Sequence, residues 1–186
     1  MRKSCGLLNK LEILERYIIL LLGVVDRPIP SILHLEKEIF ILTRVHPKVS
    51  EYVTFIKHYK GPYSEVLNDL IRNPIFYPKA YILEDNKIYL TQEGKKIFKE
   101  IVKEHSKDEK FRMLLAVLKM IRELYDKLTE EELLFLIYLT YSDYKEKSGI
   151  SDNLLKGKKR REIALRLLKK GLITEKRYKE IVEGYV

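Results

Sequence analysis

Tyr59-Lys60-Gly61-Pro62-Tyr63-Ser64, with Glu65-Val66-Leu67-Asn68-Asp69-Leu70-Ile71-Arg72 behind it, is the stretch on which the fold turns. Gly61-Pro62 breaks any element that precedes it. Pro62 suits the first turn of a helix, where its missing N–H costs nothing. Val66, Leu67, Leu70 and Ile71 recur at steps of three and four, so the helix has a buried face. Asn73-Pro74 ends it, because the residue before a proline is pushed out of the helical region.

Upstream, Leu11, Leu14, Ile18, Leu21 and Val25 share one helical face, which Ile19, Leu20 and Leu22 widen. Such breadth places this first helix at the centre of a core. Gly23 and Arg27-Pro28-Ile29-Pro30 terminate it. Ser31 is the N-cap of a second helix, with Ile32, Leu35, Ile39 and Leu42 inward and Glu36 and Lys37 outward; His46-Pro47 ends it. Val49 to His58 mixes β-branched and aromatic residues and is read as a short helix.

Downstream, Tyr81-Ile82-Leu83-Glu84 and Lys87-Ile88-Tyr89-Leu90 flank Asp85-Asn86, which reads as a hairpin with a left-handed two-residue turn. Thr91 caps the next helix, whose inward face is Ile97, Phe98, Ile101 and Val102. Two helices, a tight turn, a third helix and a hairpin follow the order of a winged helix-turn-helix.

The polar run His105 to Lys110 marks a boundary, giving domains 1–106 and 107–186. Beyond it, Phe111, Leu114, Leu118, Ile121, Tyr125 and Leu128 form a narrow seam for packing along another helix, of this chain or of a second one. Thr129 and Glu132 form a capping box that opens an apolar helix, Leu133 to Tyr141. Lys158 to Lys170 is a basic helix closed by Gly171, and Thr174 opens a last short one. The expected fold class is mainly α: a winged helix-turn-helix-like N-terminal domain with one β-hairpin, then an all-α C-terminal helical domain.

Composition bounds the function. The 186 residues are 46% hydrophobic and 34% charged, a folded chain with a heavily charged surface. Lys and Arg number 36 against 27 Asp and Glu, a net charge of +9 that suits nucleic acid or another anionic surface. A single glutamine, no Trp and abundant Lys, Glu and Ile give a thermophilic bias. Cys5 alone allows no internal disulfide and fits a reducing cytosol. The most apolar run, Tyr17 to Val25, falls short of the roughly twenty residues a membrane span needs. Charged residues also interrupt any signal peptide. A cytoplasmic protein with no membrane partner is the expectation.

Catalytic patterns are missing. His34, His46, His58 and His105 stand at no metal-ligand spacing, and no base accompanies Cys5. There is no GxSxG, no phosphate-binding GxxxxGKS/T and no GxGxxG. No enzyme, no metal and no cofactor is expected; an active site would need His34, Glu36, His58 and Tyr59 to converge. In a helix-turn-helix the second helix of the motif enters the major groove with its N-terminal residues at the bases, here Tyr63, Ser64 and Asn68. Lys57, Lys60, Arg72 and Lys87 would neutralise phosphates around it. The densest basic run, Lys156-Gly157-Lys158-Lys159-Arg160-Arg161, starts a helix, where positive charge opposes the dipole and points to an external anion. Against DNA stand Glu65 and Asp69 on the reading helix.

Leu33-His34-Leu35-Glu36-Lys37-Glu38-Ile39-Phe40-Ile41-Leu42, Tyr59-Lys60-Gly61-Pro62-Tyr63-Ser64 and Tyr89-Leu90-Thr91-Gln92-Glu93-Gly94 together resemble the YwgA-like proteins of archaea and bacteria, themselves distantly similar to the Panacea (SocA-like) antitoxin domain. The resemblance spans Leu11 to Val102. It implies a winged-helix-like fold with regulatory, mobile-element or toxin–antitoxin associations. The strand that such a fold carries between its first two helices is not evident in this sequence. Two functional expectations follow: a DNA-binding regulator, with DNA as partner and a C-terminal domain for homodimerisation or a second basic contact; or a protein-interaction module of antitoxin or adaptor type that binds no DNA.

Overall fold

The computed structural model describes residues 2–184, the side chains of residues 2–7 excepted, so the Cys5 thiol lies outside the described residues. In chain order the elements are α1 (Arg2–Gly23), α2 (Ile32–Val45), a 3-10 turn (Pro47–Glu51), β1 (Ile56–His58), β2 (Gly61–Tyr63), α3 (Glu65–Arg72), β3 (Tyr81–Glu84) and β4 (Lys87–Leu90). Then follow α4 (Gln92–Glu104), α5 (Glu109–Tyr125), α6 (Glu130–Thr140), a 3-10 turn (Ser142–Tyr144), α7 (Ser151–Leu155), α8 (Gly157–Lys169) and α9 (Glu175–Glu183). The protein is mainly helical, with two small antiparallel hairpins. No described helix is long and apolar enough to cross a membrane.

The chain forms two compact units. Unit 1 runs to Phe55 and from Ser64 to Asp126; unit 2 takes residues 56–63 and everything from Lys127. This departs from the expected division at 106/107. The reason is α5: Leu114, Leu118 and Ile121 are buried against α1 and α2, so the predicted seam is spent inside unit 1. The departure at residues 56–63 has its cause in unit 2, where β2 packs on α6.

In unit 1, α2 is the central element. Every residue from Ile32 to Thr43 is buried, including His34, Glu36, Lys37 and Glu38. The expectation that Glu36 and Lys37 face outward is therefore wrong; they pair with each other at 3.4 Å, and Glu36 Oε1 also accepts from Asn68 Nδ2 at 3.2 Å. Ser31 caps α2 as expected, accepting from the His34 N–H. Asp85 and Asn86 take φ of 48° and 62°, the paired left-handed geometry a two-residue hairpin needs. A third strand position joins this hairpin: Ile29, between α1 and α2, exchanges both backbone hydrogen bonds with Ile88 at 3.0 Å.

Glu15, fully buried on α1, accepts from the backbone N–H groups of Ile75, Phe76 and Tyr77 at 2.7–3.2 Å. One carboxylate thereby satisfies three loop amides that a proline-flanked segment leaves without a regular partner.

The expected helix over Val49 to His58 is absent. The 3-10 turn stops at Glu51 and His58 already lies in β1. Pro62 opens no helix either; it sits in β2 opposite Lys57. With Tyr59-Lys60 as the two-residue turn, His58 and Gly61 are the pair that exchanges hydrogen bonds, so position 62 needs no N–H toward its partner. Ser64 is the true N-cap of α3, accepting from the Leu67 N–H. The hairpin tip is anchored by Ser148, whose hydroxyl lies 2.7 Å from Tyr138 Oη and 3.0 Å from the Tyr59 carbonyl. The predicted capping box at Thr129 and Glu132 forms.

Candidate nucleic-acid interface

The twelve residues singled out from sequence fall in both units. Unit 1 holds Ser64, Asn68, Arg72 and Lys87; unit 2 holds Lys57, Lys60, Tyr63, Lys156, Lys158, Lys159, Arg160 and Arg161.

On α3 the reading residues are already engaged. Ser64 is buried and spent on the cap. Asn68 donates to Glu36 and accepts from Arg72 Nε at 3.2 Å. The exposed face of α3 is Glu65, Val66, Asp69 and Arg72, which carries two carboxylates against one guanidinium. Such a face repels phosphate rather than reading bases. Lys87 is exposed beside the hairpin turn.

In unit 2, Lys57 Nζ meets Glu146 at 2.6 Å, a contact that raises the lysine's pKa, and Lys60 meets Glu130 at 3.6 Å. The Tyr63 ring stacks on His58, centroids 4.7 Å apart. The basic run has its own carboxylates: Lys156 with Asp152 at 2.9 Å, Lys158 with Glu162 at 3.6 Å and Lys159 with Glu131 at 2.7 Å. These pairs offset the unfavourable end of the dipole from within, so the pointer to an external anion loses its helix-stability argument. Arg160 Nη1 donates to the Leu155 carbonyl at 3.4 Å.

These pairs nonetheless leave the cations usable. The Lys156 and Lys158 side chains are 73% and 91% exposed. Exposed pairs of this kind contribute about 0–1 kcal/mol, so a phosphate can replace the carboxylate at little cost. Lys156, Lys158, Arg160 and Arg161 border an open recess of about 520 Å³, floored by Leu155 and Val182. On α8 the outward positions Lys158, Arg161, Leu165 and Lys169 continue from it along one face. Unit 2 holds 16 Lys and Arg against 10 Asp and Glu, so it carries +6 of the chain's +9.

Two buried charge networks are structural. Glu132 is fully buried and receives Arg166 Nε at 3.0 Å, Lys170 Nζ at 2.6 Å and the Thr129 N–H at 2.9 Å. Although burial pushes its pKa up, these donors outweigh burial and hold it below the usual carboxylate range. Sequence reasoning missed a second buried network. Arg122, fully buried on α5, donates to the Leu21 and Arg27 carbonyls at 2.6 and 2.8 Å and to Asp126 at 3.0 Å. Asp126 also receives Arg27 Nε at 2.7 Å, and Glu38 Oε2 lies 3.8 Å from Arg122 Nε. The signal was present: Glu38 stands three residues after Leu35 and Arg122 four after Leu118, both on buried stripes. Of the residues named for an active site, His34 is buried in unit 1 with Nδ1 2.9 Å from Ser31 Oγ, and His58 and Tyr59 belong to the unit 2 hairpin. Among the described residues no group of His, Cys, Asp and Glu could hold a metal ion.

Comparison with protein-family models, with curated proteins and with solved structures finds no match for this chain.

Proposed function

We propose that this chain is a nucleic-acid-binding protein of winged-helix type, whose principal phosphate-binding surface is the basic face of unit 2 around the start of α8. The observation that carries the reading is the concentration of charge: +6 of +9 in the smaller unit, with Lys156, Lys158, Arg160 and Arg161 around one recess. Phosphate neutralisation by such groups is the sequence-independent part of nucleic-acid affinity. The winged-helix part rests on order and pairing. Supporting it are the strand position at Ile29 between α1 and α2, the helix α3, and a hairpin whose second strand bonds Ile29; the β1–β2 hairpin between α2 and α3 is an addition to that order.

Contact with DNA then moves away from the helix that such a fold ordinarily uses, because Glu65 and Asp69 face outward there. The test is fluorescence anisotropy of labelled duplex DNA between about 50 and about 200 mM salt. Affinity falls steeply with salt in the wild type. Lys158→Ala/Arg161→Ala weakens it about equally across sequences and flattens the salt slope, whereas Glu65→Gln/Asp69→Asn does not weaken it. Affinity that is indifferent to salt and to the double substitution overturns the reading.

The acidic face of α3 favours one alternative, an interaction module of antitoxin or adaptor type that binds a protein through α3. Under it, no DNA shift occurs at moderate salt and a partner recovered from the source cell is lost on Glu65→Lys/Asp69→Lys.

A further inference from the structure

Unit 1 contains a cavity that the nucleic-acid reading does not use. It lies between the end of α1, the connection to α2, β4 and α4, with a volume of about 420 Å³. Small-molecule sites span about 300–1,000 Å³ and are mainly apolar with a few polar groups at fixed points. This one fits that description. Its apolar lining is Leu22, Val25, Pro28, Tyr89, Leu90 and Phe98. The shape depends on a glycine: a Cβ at position 23 would run into the Phe98 ring, so Gly23 leaves room for that ring against the last turn of α1.

Four charged residues also line it: Asp26, Arg27, Lys95 and Lys99. Their balance is informative. Lys95 Nζ is taken by Asp26 at 3.0 Å, and Arg27 Nε by Asp126 at 2.7 Å. Arg27 is further fixed by donation from Nη2 to the Arg122 carbonyl at 3.1 Å. Lys99, one turn beyond Lys95 on α4, is exposed and pairs with no carboxylate among the described residues, so the lining carries one uncompensated positive charge. An apolar body needs desolvated walls, and a single anionic group on it would find Lys99 at the rim. A polyanion fits poorly, because Asp26 also stands on the lining.

We propose that this cavity binds a compact apolar molecule bearing one carboxylate, with its body between Phe98 and Tyr89 and its charge toward Lys99. The site lies wholly in unit 1 and is independent of the basic recess in unit 2.

The test uses 1-anilinonaphthalene-8-sulfonate, an apolar monoanion, as a fluorescent probe on the full chain. The expected result is saturable binding at one site. Lys99→Glu weakens it at least tenfold and Lys99→Met less, while Lys96→Glu, on the same helix but not on the lining, leaves it unchanged. Lys158→Glu/Arg161→Glu, in the unit 2 recess, also leaves it unchanged. Unlabelled 2-naphthoate and octanoate are then added as competitors, with naphthalene-2-methanol as the uncharged control. Displacement by the naphthoate alone assigns an aromatic body, and displacement by octanoate an aliphatic one; either supports the site. Failure of both acids overturns the proposal, as do equal displacement by the alcohol, equal weakening by Lys96→Glu, or loss of the probe in the unit 2 variant. Matched circular dichroism melts for Lys99→Glu and Lys96→Glu separate loss of binding from loss of fold.

Discussion

Glu38 permits a quantitative test of how unit 1 is held together. Its carboxyl is fully buried, neither oxygen has a hydrogen-bond donor within reach, and Arg122 Nε stands at 3.8 Å, too far to donate. Burial, and after it the neighbouring Asp126 carboxylate, push its pKa well above the ordinary 4.5, against the weaker pull of Arg122 and Arg27. Its surroundings thus favour the protonated carboxyl to a higher pH than a free side chain allows. In the unfolded chain the same group ionises near 4.5, so above that pH the folded state holds a proton that the unfolded state has released. Its contribution to stability is fully present below 4.5 and is lost as pH rises toward the raised folded value. The slope is about 1.4 kcal/mol per pH unit between 4.5 and the raised folded value. Glu38→Gln keeps the shape and a donor toward Asp126 but cannot ionise. Urea denaturation of both proteins at pH 5, 6 and 7 should show the Gln variant gaining on the wild type as pH rises, a difference in which the contributions of all other groups cancel. Parallel stability curves, or a wild type that gains on the variant with rising pH, would show Glu38 to be ionised in the fold and refute the reasoning.

Two further outcomes can be checked in the same way. Glu132→Gln removes the charge that gathers Arg166, Lys170 and the Thr129 N–H; because the carboxylate's pKa is lowered, the loss, about 1–2 kcal/mol with partners that stay part-exposed, is present above pH 4.5 and fades as pH falls through the lowered value. Thermal melts at pH 7 and pH 3 measure it, and an equal loss at both would contradict it. Gly94→Ala places a Cβ on the Ala80 carbonyl, which is backbone held by the Thr91 N–H and cannot swing aside; the gain of about 1 kcal/mol in helix propensity is outweighed by overpacking of about 1–3 kcal/mol, and denaturant midpoints should fall.

Local chemistry was legible in the residues. Ser31, Thr91 and Thr129 cap helices, Asp85-Asn86 turns left-handed, Asn73-Pro74 ends α3 and Gly171 closes α8 with φ of 69°. Each depends on atoms within about four positions of itself, and that is what sequence by itself determined: a mainly helical chain with one evident hairpin and a basic surplus. Tertiary structure decided everything that depends on distant partners. It placed Gly61-Pro62 in a strand, because β2 packs on α6, with the Leu134 and Tyr138 side chains beside Gly61. It turned Glu36 and Lys37 inward, because α2 is covered on every side. It gave Lys156, Lys158 and Lys159 carboxylates, and it brought Glu38, Arg27, Arg122 and Asp126 into one buried network across as many as a hundred residues of chain. Periodicity states which face of a helix is apolar; it is silent on how many faces the fold will cover and on which charge will meet which.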